Sequence, residues 1–265
     1  MVVLEVNKGR RFMSEIIAVL NQKGGVGKTT TTVNLATYLA KMNKSVLIVD
    51  ADPQGNATGG LGIDKQAEVT TYQALLGLAQ PELAIRETSQ AGVMIMPANT
   101  NLAAAETELM NQASRETKLK DILHGLQFDY ILIDCPPALS LLTINSLVAA
   151  NWLLVPVQAE YYAMEGLGQL MEVFQRIKQT MNPALNLLGV LITMYDKRTS
   201  LSEQVSGELQ KYFGNSMFVT KIPRNVRLAE APSYGKTIHE HDKWSKGARA
   251  YKQFAKEVLK RVQDK

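Results

Sequence analysis

The stretch NQKGGVGKTT, Asn21 to Thr30, concentrates the residue types that grip phosphate. Gly24, Gly25 and Gly27, with Val26 among them, let the backbone curl until successive amide groups point at phosphate oxygens. A helix starting just beyond adds the positive end of its dipole. Lys28 is placed to neutralise β and γ phosphates, and the hydroxyl of Thr29, with Thr30 continuing the motif, to ligate magnesium. The chemistry this predicts is binding and hydrolysis of ATP with Mg2+.

The loop departs from the pattern GxxxxGK[ST], because Gln22 stands where the first glycine belongs and Lys23 follows it. Lys28 already serves the chain's own nucleotide, so a second lysine at the loop's start could reach a neighbour's. Acids complete the set. VDADPQGN puts Asp50 and Asp52 on one side of a strand end by the period of two, and one of them could position an attacking water. YILIDCPP ends in Asp134 after four apolar residues, the form of an acid that holds magnesium.

These residues need a frame that brings strand ends together. Apolar runs recur at Ile16 to Leu20, Val46 to Val49, Val93 to Met96, Tyr130 to Ile133, Leu153 to Val157 and Leu188 to Thr193, with helical segments between. Such alternation predicts an α/β fold with a mostly parallel central sheet and helices on both faces, a P-loop NTPase architecture. The loop lies between the first strand and a helix over Thr29 to Met42, and the acids at the carboxyl edge where open sheets bind ligands. The stretch Pro53 to Asp64, with four glycines, reads as a flexible loop suited to a switch.

A chain of 265 residues is near the upper size of one core. Residues 1–12 read as a loose arm before a single domain over 13–265. One cysteine, Cys135, rules out an internal disulfide framework or a CxxC site and fits a reducing, cytoplasmic setting. The charge-free run from Cys135 to Ala159 has the length of a membrane span, but three prolines and several polar side chains divide it into a helix (Leu141 to Ala150) and a strand (Trp152 to Val157). The net charge of +4 is uneven: over 197–265, 15 Lys and Arg face 7 Asp and Glu, leaving 14 against 18 elsewhere. A basic last quarter favours a polyanionic partner.

KGGVGKTT with Lys23, VDADPQGNAT, DYILIDCPP, VPVQAEYYAMEG and IPRNVRLAEAPSYGK together resemble the ParA/Soj partition ATPases, of chromosomes or plasmids, within the deviant Walker A class that includes MinD. The resemblance runs from about Ile16 to the C-terminus. It implies a homodimer in the ATP state, with two nucleotides at the interface and Lys23 crossing to the partner's. It implies that Asp52 assists the hydrolytic water, that Asp50 belongs to the magnesium and phosphate network, and that Asp134 is the Walker B acid. Pro223 and Asn225 lie in a segment, IPRNVRLAEAP, that resembles the loop packing on adenine in this class. In the Soj group the dimer coats double-stranded DNA without sequence preference, and Arg198 and Arg227 match its DNA-contacting segments. Arg224, Lys236, Lys243, Lys246, Arg249 and Lys252 are their basic neighbours in sequence. A ParB-type centromere-binding partner would stimulate hydrolysis and release, which implies a nucleoid-associated protein.

Three other readings are weighed. A MinD-like membrane ATPase would use the helical stripe Tyr251, Phe254, Ala255, Val258, Leu259 and Val262, but such a stripe also docks a last helix onto a core, and the chain stops where an anchor would follow. No stable membrane association is expected. Electron transfer, as in the nitrogenase iron protein, needs more cysteines than Cys135. A binding module without hydrolysis stays open, because the resemblance implies weak intrinsic turnover, and replacing Asp52 by Ala discriminates it.

Overall fold

The computed structural model describes residues 14–160 and 164–264; the expected arm 1–12 lies outside them. Strands β1 (Glu15–Val19), β2 (Val46–Asp50), β3 (Arg86–Glu87), β4 (Val93–Met96), β5 (Tyr130–Asp134), β6 (Trp152–Gln158) and β7 (Asn186–Thr193) form one sheet in the order β3-β4-β2-β5-β1-β6-β7. Every pairing is parallel except β3 with β4. Each apolar run read from the sequence is a strand. The two-residue β3 was not anticipated, because Arg86 and Glu87 carry no apolar signal and join the sheet only through their pairing with Ile95 and Met94.

Alternate residues of one strand feed two cores. In β1, Ile17 and Val19 face one layer while Ala18 faces the other; in β5, Tyr130 and Leu132 oppose Ile131 and Ile133. All are buried, which is why these strands read as unbroken apolar runs. One layer holds the helices Lys28–Ala40 and Lys246–Gln263; the other holds Leu102–Leu109, Leu141–Ala149, Glu165–Thr180 and Ser200–Phe213. The expected helix over Thr29 to Met42 thus runs Lys28–Ala40, and Gly27, in left-handed backbone at φ +88°, begins it with no side chain to cap it. Its first amide groups are left facing the cleft.

The expected flexible loop after β2 is instead partly helical over Asn56–Gly60, with Ala57, Thr58 and Gly60 buried. The reason is electrostatic: Asp50 needs donors, and this turn supplies them. Lys65 spans the turn and donates to the Gln54 carbonyl (2.7 Å).

The apolar stripe of the last helix is committed to the core, with Tyr251, Phe254, Ala255 and Val258 at most 1 % exposed and Leu259 and Val262 packed beside them. Among the described residues no helix is long and apolar enough to cross a membrane. One basic residue of this helix is structural. The Arg261 guanidinium lies 4.0 Å from the Phe218 ring centre and donates to the carbonyls of Leu188 (3.0 Å), Ser216 (3.2 Å) and Met217. It fills the place a side chain at Gly189 would take, where β7 shifts register against β6. Arg261→Ala strands three carbonyls, and urea unfolding should show a loss of about 2–3 kcal/mol; Arg261→Lys, which lacks the planar fork, should recover only part.

Candidate functional site

β1, β2 and β5 end side by side, so the phosphate-type loop and both acidic strand ends meet at one edge. Asn21 starts the loop, donating from Nδ2 to the Pro156 carbonyl (2.8 Å) and accepting from the Lys23 amide (3.0 Å). Val26 is buried, and its carbonyl accepts from the Thr193 hydroxyl (2.7 Å), which ties the loop to the end of β7. Gly25 and Gly27 take left-handed backbone, at φ +76° and +88°.

The two lysines separate. Lys28, 8 % exposed, curls over the loop and donates from Nζ to the Lys23 carbonyl (3.0 Å). Burial depresses its pKa, opposed by the nearby charges of Asp134, Cys135 and Asp52. Lys23 points away and pairs through Nζ with Glu160 Oε2 (2.8 Å), both half-exposed.

Asp50 and Asp134 are direct partners in the β2–β5 register, and both are fully buried. Asp134 accepts from the Thr29 hydroxyl (2.7 Å) and from the Thr32 hydroxyl (3.2 Å). Asp50 accepts from the Thr58 amide (2.9 Å), the Thr58 hydroxyl (2.7 Å) and the Asp52 amide (3.2 Å). Burial pushes the pKa of each carboxyl well up, and neighbouring carboxylates add to it, Asp50 acting on Asp134 and Asp52 on both. Asp52 lies beyond them, 7 % exposed, accepting from the Gln54 amide (3.0 Å).

A cleft of about 440 Å³ is lined by Gly24, Gly25, Gly27, Lys28, Thr29, Thr30 and Asp52 among others. A second, of about 300 Å³, contains Pro223, Arg224 and Asn225. Gly27, Thr30, Met194 and Leu228 border both, so the two form one continuous trough with a polar, lysine-bearing end and a mainly apolar end. Met194 holds left-handed backbone at φ +50°, an uncommon state for a side-chain-bearing residue.

Thr32, Thr58, Glu160 and Met194 were missed. Thr32 was findable, since it falls one helical turn after Thr29. Thr58 was not, because only the fold brings it back onto Asp50.

The basic residues do not form one patch. Arg198, Arg224 and Lys246 share a groove of about 590 Å³ with Lys197. Arg198 is clamped to Asp196 (3.0 and 2.7 Å), which holds that carboxyl's pKa down at about 2. Arg227 meets Glu230 (2.9 Å) and Asp242 (3.8 Å). Lys243 lines a separate groove, and Arg249 and Lys252 are exposed on the last helix. Lys236, grouped with these by sequence, instead lines the phosphate-side cleft, because the chain after Tyr234 turns back over Gly62.

A family model described as an AAA domain (AAA_31) matches residues 14–187. The chromosome-partitioning ATPase Soj of Thermus thermophilus is 50 % identical over 248 residues, spanning 94 % of this chain and 96 % of that protein. The chromosome partitioning protein ParA of Caulobacter vibrioides is 45 % identical over 255 residues, spanning 94 % and 96 %. The crystal structure of cobyrinic acid a,c-diamide synthase from Mycobacterium smegmatis with bound ADP and magnesium is similar at a TM-score of 0.85 and 38 % identity, covering 95 % of this chain and 96 % of that one. Sheet order, loop and strand-end acids define a P-loop ATPase of the deviant Walker A class. Within it, the chain belongs to the ParA/Soj family of partitioning ATPases.

A carboxyl whose pKa is raised by folding stabilises the protein below its unfolded value near 4, and this stability is lost as pH climbs through the folded value. Asp134→Asn removes that liability. In the nucleotide-free protein the substitution should raise the thermal midpoint at pH 8 and do little at pH 4, as read by circular dichroism melts.

Proposed function

We propose that ATP binding drives two copies of this chain into a sandwich dimer that holds double-stranded DNA without sequence preference, and that hydrolysis, stimulated by a ParB-type partner, releases it. The observation that carries the reading is the division of labour between the two loop lysines. Lys28 is buried over its own loop, whereas Lys23 sits half-exposed at the rim on Glu160. A second cation this close to the cradle but turned out of it is suited to a nucleotide bound by a facing copy.

In this reading the trough takes the nucleotide lengthwise, phosphates on the amides of Gly24 to Thr30 and adenine between Pro223 and Asn225. Thr29 and Asp134 hold Mg2+. The pair fits a hard cation, since a hydroxyl oxygen and a buried carboxyl oxygen lie 2.7 Å apart and both are hard oxygen donors. The ion's contribution is to neutralise charge on the transferred phosphoryl group. Asp52 orients the attacking water from the cleft wall. Asp50 acts one step back: its carboxylate is taken up by Thr58 and the Asp52 amide, so it sets where Asp52 stands. Arg198, Arg224, Arg227, Lys243, Lys246, Arg249 and Lys252 supply phosphate contacts on DNA. Lys236, at the cleft, is assigned to the nucleotide side. This places the protein on the nucleoid in the cytoplasm, with no stable membrane association.

Sedimentation with ATP and Mg2+ should give a dimer for the unaltered chain and a monomer for Lys23→Ala, which keeps its nucleotide through Lys28. Asp52→Ala should retain the dimer with at least tenfold slower phosphate release. Arg227→Glu should abolish DNA retention at moderate salt while nucleotide binding stays intact; continued retardation of DNA by that variant rejects the assigned surface.

A further inference from the structure

The chain has two tryptophans, and the fold treats them oppositely. Trp152 starts β6 at 6 % exposure and donates from its indole to Glu15 (2.7 Å). Trp244 is 77 % exposed in the turn before the last helix. A lone exposed apolar side chain is ordinary, so exposure by itself decides nothing. Its setting does.

Asp242 uses one carboxylate oxygen to accept from the Trp244 amide (3.1 Å), and the other lies 3.8 Å from the Arg227 guanidinium. The turn that presents the indole is therefore fastened beside Arg227. On the other side the chain passes through Ser245, which caps the last helix by accepting from the Ala248 amide (3.0 Å), to Lys246, which lines the groove shared with Arg198 and Arg224. Lys243 Nζ stands 5.4 Å from the indole centre. The indole lines a groove together with Lys41 and Lys243, cations provided by two different segments. The carboxylates around it are occupied by the chain's own donors: Asp242 as above, and Glu240 by the Thr237 amide and the Ser89 hydroxyl.

We infer that Trp244 is an aromatic contact within the DNA-binding face, packing on the deoxyribose rings of the duplex while Arg227, Lys243 and Lys246 hold neighbouring phosphates. The inference rests on the proposed DNA binding and adds to it a contact that is not ionic. Packing of this kind tolerates sequence, because every nucleotide carries the same deoxyribose. It also predicts a separable signature. Removing a phosphate-contacting lysine lowers the slope of log affinity against log salt by about 1, whereas removing the indole lowers affinity and leaves the slope alone.

The test uses the full chain with ATP and Mg2+, a short duplex of arbitrary sequence, and vesicles of phosphatidylglycerol and phosphatidylcholine. DNA should change the emission of Trp244, with Trp152 as the buried reference; Trp244→Phe should lose that response and keep most of the affinity. Trp244→Ala should bind DNA about tenfold more weakly at an unchanged salt slope, as loss of a buried apolar contact predicts, and Lys246→Ala should reduce the slope. Matching thermal midpoints and nucleotide binding show that the variants are folded. Unchanged emission together with undiminished affinity of Trp244→Ala overturns the inference, as does an emission change produced by the vesicles and not by DNA. If the unaltered protein retains no DNA in either nucleotide state, it is the DNA reading that fails, and this contact falls with it.

Discussion

Two carboxylates, Asp50 and Asp134, end neighbouring strands in register and are fully buried. Ionised together without compensation they would repel in a poorly solvated place, and most of the local architecture answers that constraint. Thr29 and Thr32, one turn apart on the helix behind the phosphate loop, donate to Asp134. Thr58 donates twice to Asp50 and thereby folds the segment after β2 back onto the sheet. Lys28 bears the opposing charge. In the proposed reading the same carboxyls are what would draw a magnesium-bound nucleotide to this edge of the sheet.

The segment anchored by Thr58 also reaches toward the C-terminal region. Gly235, at φ +62°, packs so closely on Gly62 that a Cβ there would come within 2.8 Å of the Gly62 Cα. Pro232 lies beside Gly60, and Lys236 follows into the cleft. The turn after β2 and the C-terminal segment thus meet through a backbone-to-backbone contact with no side chain between. This contact joins the turn after β2 to the stretch between Arg227 and Trp244.

The basic last quarter illustrates how composition averages over unlike fates. Its net excess is real, yet Arg261 spends its charge on three carbonyls and an aromatic face inside the protein. Arg198 and Arg227 are each paired with local acids, and Lys236 has left the group. What remains exposed is narrower than the count and spread over two grooves and the last helix, beside an exposed indole that no charge tally would flag.

Strand positions, the phosphate loop, its departure at Gln22 and Lys23, and the acids Asp50, Asp52 and Asp134 were all legible in the chain. Each is a local signal: apolar runs, glycine spacing, or an acid closing a strand, set by the chemistry of a few adjacent residues. That Pro223 and Asn225 join the phosphate loop was implied only by the family resemblance and by no local signal, because the two halves of the trough come from segments about 200 residues apart. Nor were the roles of Thr58, Glu160, Arg261 and Trp244 legible. Those depend on which distant atom lies within 3 to 5 Å, and on which side of the surface a residue emerges, and only packing of the two layers against the sheet decides that.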